Sequence, residues 1–115
     1  MAREPLEVEE EALGGGHLIA ARGEIDHMSA RVLADVLRNV TLHCEGPVVL
    51  DLCETTFIDS AGISTLLNGL RRLTRQRRKM FIVCPPGPPR RVFELLGLVG
   101  TFDIYETREQ ALAGV

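Results

Sequence analysis

Two short, almost uninterrupted apolar runs are the feature that most constrains this chain. Val48–Leu52 has the sequence VVLDL, and Met80–Cys84 has the sequence MFIVC. Strands with so little polar alternation are typical of a sheet that is covered on both faces. Each run is too short for a helix, and the segment between them changes to a helical period. The pattern therefore predicts strands that alternate with helices, joined by right-handed crossovers within one sheet.

Two segments with helical periodicity lie on either side of the first apolar run. Between 29 and 40, apolar residues recur at steps of three and four with charged residues between them, which predicts an amphipathic helix. Its expected buried face consists of Val32, Leu33, Val36, Leu37 and Val40. A second helix is predicted from Ser60 onward. Its expected buried face consists of Ile63, Leu66, Leu67, Leu70 and Leu73. Its expected exposed face consists of Ser60, Ser64, Asn68, Arg71 and Arg75.

The remaining segments complete an alternating pattern. Two short extended runs around Gly14–Gly16 predict a hairpin at the start of the chain. Pro88 or Pro89 can open a short helix after the second apolar run, because proline is tolerated in the first turn. A brief strand is predicted at 102–105, and Thr107 with Gln110 forms a capping box for a last helix. The predicted order is β-β-α-β-α-β-α-β-α, an α/β domain with a mixed sheet and helices mainly on one side.

Composition narrows the class of protein. The chain has 115 residues, 45% apolar and 25% charged, which is the size and composition of one globular domain over 1–115. Its net charge of −3 argues against direct nucleic-acid binding, which normally requires a basic excess. No apolar run is long enough to span a membrane, and the acidic start does not resemble a signal peptide. A cytoplasmic location is expected.

Cysteine and histidine give no indication of a metal or disulfide site. Three cysteines at 44, 53 and 84 are odd in number and lack a C-x-x-C pair, so neither a disulfide framework nor a zinc site is predicted. The three histidines at 17, 27 and 43 have no carboxylate or thiol at ligand spacing. No metal and no cofactor are expected.

Ser60 occupies the most informative position in the chain. The strand at 48–52 is predicted to end in a polar turn, after which Asp59-Ser60-Ala61-Gly62 opens the second helix. The first turn of a helix has unpaired N–H groups and a partial positive charge, so a phosphate on Ser60 could be accommodated there. An Asp-Ser pair at this position is also common as a plain helix cap. Capping and periodicity leave both interpretations open.

A family resemblance bears on this choice. The segment 48–73, VVLDLCETTFIDSAGISTLLNGLRRL, resembles the signature of the STAS-domain anti-sigma-factor antagonists. GEID at 23–26 is similar to the Gly-Glu-Leu-Asp stretch after the second strand of that family. FELLGL at 93–98 and FDIY at 102–105 are similar to its C-terminal helix and last strand. The resemblance covers 6–113 and implies a STAS-like mixed sheet of about five strands with four helices packed mainly on one face.

The resemblance implies that the protein acts by binding and is not an enzyme. Family members bind an anti-sigma factor with serine kinase activity and so release a sigma factor, which regulates transcription. The kinase uses ATP to phosphorylate a serine that matches Ser60, and a serine phosphatase restores the active form. Ala61 stands where family members often have a second serine, which leaves Ser60 as the only acceptor in the motif.

The resemblance and the helical spacing together predict a partner-binding surface. Asp26 matches a family position beside the phosphorylated serine, and Ser64 and Asn68 share the exposed face of the Ser60 helix. Gly62 would allow close approach of another backbone. The predicted partner-binding residues are Asp26, Asp59, Ser60, Gly62, Ser64, Thr65 and Asn68. The protein is expected to be a monomer or a weak homodimer, since an edge strand near its start could pair.

Two alternative functions are compatible with parts of the sequence. One is a STAS module within a stress-signalling, transporter or lipid-trafficking complex. The other is a small enzyme that uses Ser60 or Cys84 as a nucleophile. Cys84 and Arg90 have the C-x5-R spacing of cysteine phosphatases, but four of the five residues between them are proline and lack the N–H groups that would hold a phosphate. No histidine is placed in the sequence to form a triad with Ser60.

A basic run follows the Ser60 helix. It consists of Arg71, Arg72, Arg75, Arg77, Arg78 and Lys79. Cations at the C-terminal end of a helix complement its dipole, and no aromatic residues are interleaved for base stacking. The run therefore favours a solvated helix end over a nucleic-acid site, with a supporting role at the kinase interface left open.

Overall fold

The strands of this protein form one mixed sheet. The structure is a computed structural model that describes residues 5–115, so residues 1–4 of the predicted domain lie outside the described residues. The elements are β1 (Glu7–Leu13), β2 (Gly16–Ile25), α1 (Ala30–His43), β3 (Val48–Asp51), β4 (Thr55–Ile58), α2 (Ser60–Arg75), β5 (Met80–Val83), α3 (Pro88–Leu95), β6 (Asp103–Tyr105) and α4 (Arg108–Leu112). The sheet order is β1-β2-β3-β5-β6, with β4 paired to β2. The hairpin β1–β2 is antiparallel and every other pair is parallel. The predicted α/β class and mixed sheet are confirmed.

The strand β4 was not predicted, because its residues were assigned to a polar turn. It exists because β2 is ten residues long and has room for two neighbours on one edge. The first part of β2 pairs with β3 from His17 to Ala20, and the last part pairs with β4 from Gly23 to Ile25. The segment after β3 therefore turns and continues along the same edge of β2. This path carries the chain to the carboxyl end of β2, where α2 begins.

The helices pack mainly on one face of the sheet, as predicted. Three of them, α1, α2 and α3, contribute Leu37, Leu66 and Phe93 to the larger apolar cluster, and these side chains are at most 2% exposed. The short helix α4 covers the other face, where Ala111 joins a smaller cluster with Phe81. The start of α3 at Pro88 and the capping box of α4, in which Thr107 accepts from the Gln110 N–H, also match the prediction.

Val32 departs from the predicted buried face of α1. Its side chain is 46% exposed, whereas Leu33 and Leu37 are buried. Successive residues in a helix are about 100° apart around its axis, so Val32 lies on the flank of the stripe that Leu33 and Leu37 define. An apolar residue beside a buried stripe is therefore not always covered.

A buried carboxylate attaches α4 to the end of β3. Arg108 donates two hydrogen bonds to Oδ2 of Asp51, at 2.8 and 2.6 Å, and the Asp51 side chain is only 6% exposed. Burial opposes ionisation of Asp51, but hydrogen bonds from Cys53 and Arg108 outweigh it and hold the pKa of the Asp51 carboxyl below its usual range. The site therefore stabilises the fold above about pH 4, and this contribution is lost as the pH falls through the lowered pKa.

Removing this ion pair is expected to have a pH-dependent effect. Arg108→Ala should lower the free energy of unfolding by about 1 kcal/mol at pH 7, because the buried carboxylate loses its charged donor. The difference from the parent should shrink as the pH falls below about 4, through the lowered pKa of the Asp51 carboxyl, and should be smallest at the lowest pH at which the chain still folds. Urea unfolding at pH 7 and at a series of pH values below 4 measures it. Arg38→Ala, which breaks an exposed pair with Asp35, is the control and should cost no more than about 0.5 kcal/mol. A loss that stays constant as the pH is lowered over this series would contradict this assignment.

Candidate functional site

The N-terminus of α2 lies where β4 ends. Asp59 has an extended backbone and caps the helix, and its Oδ1 accepts a hydrogen bond from the Gly62 N–H at 3.0 Å. Ser60 is the first residue of the helix, and its side chain is exposed. Asp59, and not Ser60, is therefore the residue of the Asp-Ser pair that caps the helix. The hydroxyl of Ser60 remains at the surface, outside the cap.

Asp59 also connects α2 to the turn between β2 and α1. Its second oxygen accepts a hydrogen bond from the His27 N–H at 3.0 Å. Within that turn, Oδ1 of Asp26 accepts from the N–H groups of Met28 and Ser29, at 2.9 and 3.0 Å. The structure thus brings the turn that contains Asp26 against the start of α2. The carboxylate of Asp26 holds this turn in shape.

Gly62 was predicted on the partner-binding surface, but its environment in the structure is different. It is buried, and a Cβ added to it would lie 2.6 Å from Cγ1 of Ile58 and 2.9 Å from the carbonyl oxygen of Ile25. Such distances are far below van der Waals contact, so only glycine allows α2 to approach β2 and β4 this closely. The close approach that was expected does occur, but within the chain itself. Gly62 therefore positions the helix and is removed from the candidate partner surface.

The other predicted residues of α2 divide into two groups. Ser64 and Asn68 are exposed on the same face as Ser60, so the three side chains form one polar strip. Thr65 is half-buried, and its Oγ1 donates to the carbonyl oxygen of Ala61 at 3.0 Å. The polar strip of Ser60, Ser64 and Asn68 is therefore the accessible part of the site.

Two large apolar side chains beside this site were missed by the sequence analysis. Met28 is 67% exposed and follows the residue whose N–H binds Asp59, and Phe57 is 45% exposed and precedes Asp59 by two positions. Exposed aromatic and methionine side chains are enriched at the centres of protein interfaces. The only signal available was Phe57 itself, an aromatic residue in a segment that had been assigned to a polar turn.

The tertiary structure brings a histidine near the Asp-Ser pair, which the sequence analysis did not expect. Nδ1 of His27 lies 3.9 Å from Oδ2 of Asp59, and the His27 side chain is 78% exposed. This distance is too long for a hydrogen bond. Within residues 5–115 no hydrogen bond joins His27 to the hydroxyl of Ser60. A nucleophilic triad needs both contacts, so this arrangement does not support hydrolysis at Ser60.

The thiols near the strand ends are poor nucleophiles. Cys84 is buried, and burial raises the pKa of its thiol to about 11. Cys53 is exposed, but partial burial of its sulfur and a hydrogen bond to the Asp51 carboxylate raise the pKa of this thiol to about 12. The thiolate is the reactive form of cysteine, so neither residue favours the enzyme hypothesis.

Cys53 is therefore expected to react slowly despite its exposure. Iodoacetamide at pH 8 should alkylate it on the order of a thousandfold more slowly than glutathione, since a thiol with so high a pKa is almost fully protonated. Peptide-resolved mass spectrometry over time measures the rate. The same chain in concentrated urea is the control, and there the rate should approach that of glutathione. A fast reaction in the folded protein would contradict the Asp51–Cys53 contact.

Among residues 5–115, no helix combines the length and the apolar character that crossing a bilayer requires. Within the same residues, no group of three or more histidine, cysteine, aspartate or glutamate side chains is arranged to hold a metal ion.

Comparison with known proteins places this geometry in a family. A family model described as "STAS domain" matches residues 8–111. The anti-sigma-F factor antagonist RsfB of Mycobacterium tuberculosis is 30% identical over 101 residues, which cover 88% of this chain and 82% of that protein. The crystal structure of an anti-sigma factor antagonist from Mycobacterium paratuberculosis superposes with a TM-score of 0.89 at 27% identity, covering 96% of this chain and 93% of the other.

A more distant structure shares the fold. The Bacillus cell fate determinant SpoIIAA, solved in its phosphorylated form, superposes with a TM-score of 0.70 at 20% identity, covering 94% of this chain and 96% of the other. The family match extends over nearly all of the chain, and so do both superpositions. The chain therefore belongs to the STAS domain family, within which it is similar to the anti-sigma-factor antagonists.

Proposed function

We propose that this protein is an anti-sigma-factor antagonist, that it binds an anti-sigma factor with serine kinase activity, and that phosphorylation of Ser60 ends this binding. The observation that carries the proposal is the exposed hydroxyl of Ser60 at the first position of α2, beside a cap that Asp59 supplies. The similarity to RsfB, which is an anti-sigma-F factor antagonist, supports the class of partner.

A phosphate on Ser60 would be tolerated by the fold. The N–H groups of Ser60 and Ala61 precede the first full turn of α2, so they have no acceptor within the helix and can face an anion. The partial positive charge at the helix N-terminus also favours a phosphate there. The modification can therefore act on the surface without unfolding the domain, in keeping with SpoIIAA, which has been solved in a phosphorylated form.

The same phosphate would change the character of the surface. Before modification the site presents the hydroxyls of Ser60 and Ser64, the amide of Asn68 and the apolar side chains of Met28 and Phe57. A partner can cover such a surface without burying an unpaired charge at Ser60. Phosphorylation adds nearly two negative charges beside the carboxylate of Asp59, and a surface that fits the hydroxyl is then repelled.

This function is a binding cycle. The unmodified protein binds the kinase stoichiometrically in the cytoplasm, where ATP is available, and sequesters it from its sigma factor. The kinase phosphorylates Ser60 and dissociates, and a serine phosphatase returns the protein to its binding form. Catalysis belongs to the kinase and the phosphatase, and the antagonist supplies the surface that both enzymes recognise.

Phosphate mapping tests the proposal. The purified protein is incubated with magnesium, ATP and each purified anti-sigma-factor kinase of the source organism, and the peptide that contains Ser60 is sequenced by mass spectrometry. Phosphate is expected on Ser60 and absent from Ser60→Ala. Phosphate on Ser64 or Thr65 would place the switch one turn later and contradict the assignment. No incorporation with any kinase would remove the phosphorylation step from the proposal.

A further inference from the structure

The charges of this chain are distributed unevenly along it. No aspartate or glutamate occurs between Ser60 and Phe93, a stretch that contains eight arginine and lysine residues. Residues 5–59, in contrast, contain eleven acidic residues and three arginines. The overall charge of −3 therefore conceals a strongly basic segment, most of it at the C-terminal end of α2.

Four of these cations are exposed at that end of the helix. They are Arg71, Arg75, Arg77 and Lys79, here named the cationic end of α2. Steps of three and four residues place Arg71 and Arg75 on the same helix face as Ser60, Ser64 and Asn68. At 1.5 Å per residue, this face extends about 22 Å from Ser60 to Arg75. One exposed strip thus begins at the proposed switch and ends in the cationic end.

The cationic end has no acidic partner in the part of the chain that the structure describes. Arg71 donates a 3.4 Å hydrogen bond to the Asn68 amide oxygen, and none of the four cations forms an ion pair with a carboxylate of residues 5–115. Its neighbour Arg78 differs, because it donates to the carbonyl oxygen of Gly46 at 2.8 Å and so has a structural role. The four exposed cations are therefore free to meet an external anionic group.

A phosphate on Ser60 of the same chain cannot be that group. Arg71 is eleven residues further along α2, about 16 Å from Ser60, and the Debye length in physiological salt is about 8 Å. A direct contact is out of reach, and the attraction through solvent is largely screened. The complementary charge must come from another molecule.

We propose that the cationic end of α2 binds an acidic surface of the same kinase that docks on Ser60. This inference rests on the proposed function and extends its interface along α2. The shared helix face argues for one partner across the whole strip. A groove of about 340 Å³ beside the cationic end could receive protein side chains. Leu70 and Met80 are the apolar part of its lining, Arg77, Arg78 and Lys79 are cationic, and Asp103 is acidic. Residues 71–79 contain no aromatic side chain on which bases could stack, so a nucleic acid fits less well.

The two ends of α2 then act in opposite directions. Exposed complementary charges mainly raise the association rate and make it dependent on salt. The cationic end attracts the acidic surface of the kinase in both states of the protein. Phosphorylation of Ser60 adds repulsion only at the N-terminal end. The kinase is thereby guided to the serine and released after the transfer.

Charge reversal tests the cationic end. In a Ser60→Ala background, Arg71→Glu and Arg75→Glu are each expected to raise the Kd for the purified kinase threefold to tenfold in 50 mM salt, mostly through a slower association rate. The effect should shrink in 300 mM salt. Arg38→Glu, an exposed arginine of α1, changes the net charge equally and should stay within twofold. Surface plasmon resonance measures the rates, and circular dichroism checks that each variant is folded.

The outcomes separate this inference from the proposed function. Equal weakening by Arg38→Glu would indicate a net-charge effect and overturn the inference, as would unchanged affinity for the Arg71 and Arg75 variants. The inference is also overturned if these variants keep their kinase affinity but lose binding to a 30-bp DNA duplex, to vesicles of phosphatidylglycerol and phosphatidylcholine, or to a second copy of the chain. Ser60→Asp is measured alongside. If it binds as well as Ser60→Ala, the switch itself fails, whatever the arginine variants show.

Discussion

Ser60→Asp is expected to lower the affinity for the anti-sigma-factor kinase by at least about a hundredfold, or about 2.7 kcal/mol. The substitution places a charge next to the Asp59 carboxylate, on the surface that the proposed partner covers when Ser60 is neutral. Like charges brought together in an interface cost several kcal/mol, because neither can be solvated. Titration calorimetry with the purified kinase at fixed salt concentration measures the change. Loss of affinity with an unchanged unfolding temperature assigns the effect to the interface.

Three further variants separate charge from shape and position. Ser60→Ala should bind within about threefold of the parent, since it removes only an exposed hydroxyl. Ser60→Asn has the shape of the aspartate without its charge and should bind much better than Ser60→Asp. Ser64→Asp puts the same charge one turn further along the strip and should weaken binding less. Equal affinity of Ser60→Ala and Ser60→Asp would contradict the switch.

Gly62→Ala is expected to lower the free energy of unfolding by about 2 kcal/mol. The new methyl group would overlap Cγ1 of Ile58 and the carbonyl oxygen of Ile25, and a strand backbone cannot move aside as a side chain can. Overpacking of this kind costs about 1 to 3 kcal/mol, against a gain of at most about 1 kcal/mol in helix propensity. Chemical unfolding measures the loss. Because the start of α2 must shift to admit the methyl group, the kinase affinity should fall as well.

The second buried glycine of α2 provides a matched control. A Cβ at Gly69 would lie 3.2 Å from Cδ1 of Leu37, the end of a flexible side chain that can rotate. Gly69→Ala should therefore be neutral or stabilising by up to about 1 kcal/mol, and kinase binding should not change. If both variants lose the same stability, the close approach at Gly62 has no special role.

Much of the fold could be predicted because its signals are local. The periodicity of α1 and α2, the apolar runs of β3 and β5, and the capping box at Thr107 each occupy a few consecutive residues. The strand β4 was missed because it has no local signal. Its four residues are too few to show the alternation of a strand, and they form one only because the long strand β2 offers them a free edge. Val32 shows a second limit of local patterns. Periodicity predicts which residues form an apolar stripe on a helix, but it does not predict whether other elements cover every residue of that stripe.

The candidate site likewise has some features that are encoded locally and others that depend on tertiary contacts. The sequence by itself determined that a serine opens α2 after an acidic residue, because helix starts are encoded within a few positions. It also determined, through the family resemblance, that this serine is the candidate for modification. Only the tertiary structure decided which residue of the pair is the cap, and that the turn at Asp26 lies against it through the His27 N–H, 32 residues from Asp59. It also decided that Gly62 is buried and that Met28 is exposed. These properties arise from contacts between segments distant in sequence, which no local pattern records.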